Sequence, residues 1–228
     1  MIDHSAIVGQ GDGIMAELRD WTQWFAAYDD PSSALASRLL VVNDGIVRAL
    51  NEAPPGAIRI LYLCAGQGRD ILPVVAAHPR RTDVVARLVE VDPAIADVAR
   101  GTAANLGLTE SIDIVTGDAA DPATFADFGP ADLLLLCGIF GNISDADVAN
   151  TVARAAGLTA RGGTVIWTRH RHEPNLVPSI HDWFAQAGFS LLWESDAALP
   201  ESVYVAGHRQ ERDPAPTQNT DKLFTFVK

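Results

Sequence analysis

Ile58-Arg59-Ile60-Leu61-Tyr62-Leu63-Cys64-Ala65-Gly66-Gln67-Gly68-Arg69-Asp70 is an apolar run that breaks into a glycine-spaced turn. Helical spacing follows from Ile71 to His78, so the stretch reads as strand, tight turn, helix. The same alternation repeats downstream. Ala86–Val91 is a second strand, and Pro93 suits the first turn of a helix reaching about Gly101. Ile112–Val115 and the leucine-filled Asp132–Cys137 follow, the latter apolar enough for an interior parallel strand. A helix over Ser144–Leu158 has Ser144 and Asp147 at capping-box spacing. Arg161-Gly162-Gly163 turns into Thr164–Thr168, a helix covers Leu176–Ala187, and Phe189–Glu194 is a sixth strand. The remaining β-rich run, Leu223–Val227, is expected as the seventh, paired antiparallel after a polar excursion over 197–220. Such an order implies an α/β fold: a seven-stranded, mostly parallel sheet with helices on both faces and an antiparallel last strand.

Upstream, residues 14–53 read as helical, and Pro54-Pro55-Gly56 separates them from the first strand. The expected organisation is an N-terminal helical cap over 1–56 and a core over 57–228. Trp21, Trp24, Phe25 and Tyr28 share one helix face. Packing explains most of them; Trp24 and Tyr28 are also candidate walls of a substrate pocket.

The 228 residues are 48% hydrophobic and 20% charged, enough apolar side chain for a real core. Seventeen basic against 29 acidic residues give a net charge of −12, which repels phosphate backbones and argues against nucleic-acid partners. No secretory signal opens the sequence, and the run Leu133–Cys137 is far too short to span a bilayer. Cys64 and Cys137, the only cysteines, make neither a disulfide framework nor a metal site, so a cytoplasmic monomer or homodimer is expected.

Ligands of open parallel sheets bind beyond the carboxyl ends of the strands, which places one at the Cys64–Asp70 loop. Gly66 permits a tight turn there and Gly68 a close backbone approach. Glu90 ends the next strand 22 residues beyond Gly68, where a carboxylate can take both hydroxyls of a ribose. Asp70 occupies the position of a usual third glycine. An acid there would sit against a dinucleotide's pyrophosphate, but it suits the sulfonium and ammonium of S-adenosylmethionine (SAM).

The stretch from Arg59 to about His172 resembles the core of a class I SAM-dependent methyltransferase, a Rossmann-like fold. Cys64-Ala65-Gly66-Gln67-Gly68-Arg69-Asp70 is similar to the first motif of that family, with Cys64 in place of its usual acid. Glu90-Val91-Asp92-Pro93 resembles the second motif, implying Glu90 as the ribose acid; Asp92 reads as a helix cap. Gly117-Asp118-Ala119 is similar to the adenine turn, implying that Asp118 accepts the exocyclic amine and Ala119 donates its N–H. Asp132 to Ile143 resembles the fourth strand and its loop, which brings Cys137 and Gly138 to the cofactor and Asn142 to the acceptor.

Methyl transfer needs orientation above all, and a base only when the acceptor must lose a proton. Arg169-His170-Arg171-His172 follows the fifth strand as a dense cationic run. Arg169 and Arg171 are candidates for an anionic acceptor, and His170 or His172 for the base. His208 is a second substrate-side candidate, and Arg38 a partner for the cofactor's carboxylate. The function expected is methylation of an O or N atom of a small molecule, with SAM converted to S-adenosylhomocysteine (SAH). A catalytically silent SAM-binding module and an NAD-dependent oxidoreductase are the alternatives.

Overall fold

A computed structural model describes residues 27–214 and 221–227; Trp21, Trp24 and Phe25 lie outside them. One seven-stranded sheet forms from β1 Ile58–Leu63, β2 Val84–Glu90, β3 Ile112–Thr116, β4 Ala131–Leu136, β5 Thr159–Arg169, β6 Phe189–Glu194 and β7 Tyr204–Gln210. Their order is β3-β2-β1-β4-β5-β7-β6. The first five pair parallel, and β7 runs antiparallel between β5 and β6. Helices α1 Ala34–Glu52, α2 Leu72–Ala77, α3 Pro93–Asn105, α4 Asp145–Leu158 and α5 Val177–Gln186 surround it. The order reverses between β1 and β4, where a crevice must open at the strand ends.

Alternation of side chains across the sheet builds two cores. Ile58, Ile60 and Tyr62 of β1 face one with Leu133 and Leu135 of β4; Leu61, Leu63, Leu134 and Leu136 face the other. Each strand is therefore apolar on both faces, as the unbroken leucine run requires. Helix α1 joins the first core through Val42, Ile46 and Leu50, all at most 1% exposed. Burial of each stabilises the fold by about 1.5–3 kcal/mol. Behind α1, Arg80 fastens the chain as it enters β1. Its guanidinium donates to the carbonyls of Leu50, Ala53, Pro54 and Gly56 at 2.6–3.3 Å.

Two expectations are corrected. The helical reading of 14–53 breaks within the described part: Ala27–Asp29 is a single 3-10 turn, then Asp30-Pro31-Ser32 turns the chain. Helix α1 starts only after Ser33, whose hydroxyl accepts from the Ala36 N–H. The seventh strand is Tyr204–Gln210, inside the supposed excursion, and Leu223–Val227 makes only one bridge, Phe226 to Ile143. Gly207-His208-Arg209-Gln210 hides the strand because its polar members are satisfied by distant partners. Gln210 donates to the Ala156 carbonyl, Arg209 meets Glu52, and Gly207 makes room for the Trp193 indole.

Candidate active site

A cavity of about 580 Å³ opens at the strand ends where the order reverses. Five of the strands send segments into its lining: Cys64–Gly66 after β1, Glu90–Asp92 from β2, Asp118–Ala119 after β3, Cys137–Gly138 and Gly141–Asn142 after β4, Thr168–His170 at the end of β5. Tyr28 and Arg38 close it from the N-terminal side and Phe226 from the C-terminal side.

The loop after β1 owes its shape to left-handed backbone. Cys64 has φ 59° and Gly66 φ 57°, so the chain folds back immediately at the strand end. A non-glycine residue held there is strained by about 1–2 kcal/mol, a cost found where a site over-determines the backbone. Burial, reinforced by the Glu90 and Asp118 charges, pushes the Cys64 thiol up; burial does the same to Cys137, with Asp70 adding to it. Both remain neutral thiols bordering the cavity.

Glu90 is 8% exposed and is a clamp as well as a wall. One carboxylate oxygen accepts from Gly66 N–H at 2.9 Å and the other from Asp92 N–H at 2.9 Å. Each oxygen keeps further acceptor capacity beyond its one backbone donor, and the residue lines the cavity. Asp92 caps α3 by accepting from Ala94 and Ile95. Asp118 accepts from the Ala120 N–H and from Lys222 Nζ at 2.7 Å. Burial opposes ionisation of Asp118, but Lys222 and the Ala120 N–H hold its carboxyl below the usual range. Val91, 65% exposed, gives the same end an apolar face.

The opposite end is cationic. Arg38 donates to the Tyr28 hydroxyl at 2.7 Å, and both border the cavity. Arg169 is buried, donates to the Phe140 carbonyl and lies 3.7 Å from Asp145. Burial lowers its pKa, against the Asp145 charge. Asn142 donates to the Gly138 carbonyl, and the Gly138 N–H to Thr168, so the β4 loop is fixed from two sides.

Several expected residues lie elsewhere. Gln67 accepts from Arg69, which also pairs with Asp29, so both side chains tie the loop to the N-terminal segment. Gly68 does not line the cavity; a Cβ there would sit 2.9 Å from Leu72, so its glycine serves loop–helix packing. Asp70 does not line the cavity, and its carboxylate accepts from the Tyr62 hydroxyl at 2.6 Å. Burial raises its pKa, with that hydrogen bond opposing. Asp70, expected beside a sulfonium, thus stands behind the cavity wall, near enough to Arg38 for that cation to pull its pKa down against burial. Arg171 donates to the carbonyls of Ala197 and Leu199, and His172 faces Glu201 at 3.4 Å with a half-exposed ring; neither borders the cavity.

His208 is a core residue, 1% exposed. Trp167 Nε1 donates to its Nδ1 at 3.1 Å, which leaves Nε2–H to donate to His181 Nδ1 at 3.1 Å. His181 Nε2–H then faces Tyr204, whose hydroxyl donates to Glu194. Because indole only donates, one tryptophan sets every tautomer along the chain. Burial beside His181 lowers the His208 pKa to about 3. Trp24 lies outside the described residues. Leu35, Ile95, Gly141, Thr168, Ser202 and Phe226 line the cavity without having been singled out; only Gly141, inside the Asp132–Ile143 stretch, and Thr168, next to the cationic run, carried a positional signal.

The family model described as "Putative methyltransferase" matches residues 39–181, more than half of the chain. No curated protein matches the chain. Among solved structures, the magnesium protoporphyrin IX methyltransferase of Synechocystis PCC 6803 with bound SAM is 12% identical with a TM-score of 0.66, covering 85% of this chain and 92% of its own. An O-methyltransferase family protein from Burkholderia thailandensis is 18% identical with a TM-score of 0.57, covering 82% of this chain; the chain spans only 62% of that protein's length. The fibrillarin pre-rRNA processing protein of Methanococcus jannaschii is 16% identical with a TM-score of 0.55, covering 75% and 81%. Those likenesses, all under 25% identical, show the fold. With the profile match running from α1 into α5, the chain belongs to this methyltransferase family.

Proposed function

We propose that the chain transfers the methyl group of SAM to an oxygen or nitrogen atom of a small-molecule acceptor, releasing SAH. The observation that carries this reading is Glu90: a buried carboxylate at the end of β2, already oriented by two backbone donors and open to the cavity. Glu90 would hold the ribose diol, Asp118 and the Ala119 N–H the adenine, and the backbone of Cys64–Gly66 with Cys137–Gly138 the methionine part. Arg38 at the cationic end suits the cofactor's carboxylate. When bound, the cofactor supplies an electrophilic methyl group on a good leaving group. The chain's own contribution is orientation and exclusion of water. His170, the one histidine of its run that borders the cavity, takes the proton of a hydroxyl acceptor, and Arg169 and Asn142 lie beside it. The surplus of acid over base supports a small acceptor over an RNA one. The described residues contain no helix long and apolar enough to cross a membrane. Of the expected cap over 1–56, the described part from Ala27 onward we assign as a cover of the cavity, on the strength of Tyr28 and Arg38.

Calorimetric titration with SAH and with NAD⁺ separates the two cofactor readings. Tight binding of SAH and none of NAD⁺ is expected; the reverse would overturn the assignment. A screen of hydroxyl and amine acceptors with methyl-labelled SAM then separates an enzyme from a silent binding module.

A further inference from the structure

The segment 221–227 straps the rim of the cavity from the loop after β3 to the loop after β4. Leu223 donates to the Ala120 carbonyl, and its own carbonyl accepts from Asn150 and Thr151. Thr225 N–H donates to Asp147, and Val227 N–H to the Asn142 carbonyl at 2.9 Å. Leu223 and Phe224 are sunk in the core at 1% and 2% exposure. Phe226 is different. Pinned by its bridge to Ile143 and by an edge contact from Phe224, it stays 46% exposed and lines the cavity.

An aromatic ring held firmly yet left half bare at a ligand cavity is a ready stacking surface. The ends of the cavity say what stacks. Acidic and apolar groups (Glu90, Asp118, Val91) come from the β2 and β3 side of the cavity, where Lys222 of the strap pairs with Asp118, and Arg169 and His170 come from β5 on the other side; Phe226 stands between them, on the β4 loop. A neutral planar base with an amine donor fits the acidic side beneath the strap, and an amino-acid carboxylate fits the cationic side. We propose that Phe226 is the aromatic wall on which the cofactor's adenine stacks, an assignment that rests on the SAM reading above.

The test is calorimetric titration of the full chain with SAH and with 5′-methylthioadenosine, which keeps the base and ribose but lacks the amino-acid end. Phe226→Ala should weaken both ligands equally, by roughly 5- to 150-fold, the range for losing a base–aromatic stack. Phe226→Tyr should bind like wild type. Phe226→Leu, which keeps the apolar volume, should weaken both less than Ala and answers any loss of folding in the Ala variant. Unchanged SAH affinity in Phe226→Ala overturns the assignment, as does a loss seen with SAH but not with methylthioadenosine. A wild-type chain that binds no SAH instead overturns the cofactor reading itself.

Discussion

Glu90→Ala removes one carboxylate from three partners at once. In the structure it accepts from the Gly66 and Asp92 N–H groups at 2.9 Å each, and the cofactor reading adds a ribose diol. An unsatisfied buried donor costs about 1–3 kcal/mol, and water entering from the open side of the cavity recovers part of that. A net loss of ~2 kcal/mol of stability follows, or about 4–8 °C in Tm for a chain of this size. The diol contacts are charge-assisted, so affinity for SAH should fall by about 1.5–3 kcal/mol, roughly 10- to 150-fold. Asp92→Ala is the control. It removes only the cap on Ala94 and Ile95, about 1 kcal/mol of stability, with SAH affinity within about 3-fold of wild type. Glu90→Gln separates charge from shape: its amide oxygen can serve one N–H, but its NH₂ must face the other donor. Melting curves and SAH titrations of the three variants make the assay. If Glu90→Ala melts lower yet binds SAH like wild type, the carboxylate is only a loop clamp and the ribose contact lies elsewhere. Equal affinities for Glu90→Ala and Asp92→Ala would refute the argument as well.

His170→Gln should lower turnover on a hydroxyl acceptor by about 10²–10⁴-fold with SAH affinity unchanged, whereas His172→Gln should stay within about 2-fold of wild type; the opposite order would move the base to the exposed ring beside Glu201. Acid should destabilise the fold through His208. With a folded pKa of about 3 against 6.5 in the free residue, only the unfolded chain takes up its proton below pH 6.5, so stability falls by about 1.4 kcal/mol per pH unit from there toward 3. Denaturant titrations at pH 7 and pH 5 should differ by ~2 kcal/mol more in wild type than in His208→Gln, and equal differences would refute it. Saturating SAH should slow alkylation of Cys64 and Cys137, both neutral and both on the cavity wall; identical rates with and without SAH would place the ligand away from β1 and β4.

The sheet was legible because its strands carry their own burial. Ile58–Leu63 and Ala131–Leu136 are apolar on both faces, and only an interior parallel position satisfies both. Glu90 and Cys137 reach the cavity wall for a related reason: the end of an interior strand has one exit, and the cavity opens there. Tyr204–Gln210 was not legible because its burial is borrowed. His208 is solvated by Trp167 and His181, partners 41 and 27 residues away, and no local pattern contains that information. Phe226, expected within a strand, lines the cavity because its neighbours Leu223, Thr225 and Val227 are held by Ala120, Asp147 and Asn142, which no local pattern shows.

Charge alone leaves the use of the Arg169–His172 run open, and the reason is the donor geometry of arginine. A guanidinium offers five N–H donors in a fixed fork, which matches clusters of backbone carbonyls as well as it matches an anion. Arg80 meets four carbonyls, Arg171 two in the 197–199 loop, and Arg169 that of Phe140. In a chain of net charge −12 such cations have abundant acids to pair with, yet these three donate largely to backbone. Arg169 and Arg171 thereby fasten the two loops on either side of residue 170, the β4 loop and the 197–201 loop. We propose that the run serves chiefly as a mount: two arginines hold their neighbours still, and His170 between them borders the cavity. A mount predicts that Arg171→Ala acts on turnover through the position of His170, with SAH affinity preserved, whereas an anion trap predicts a raised KM for anionic acceptors only.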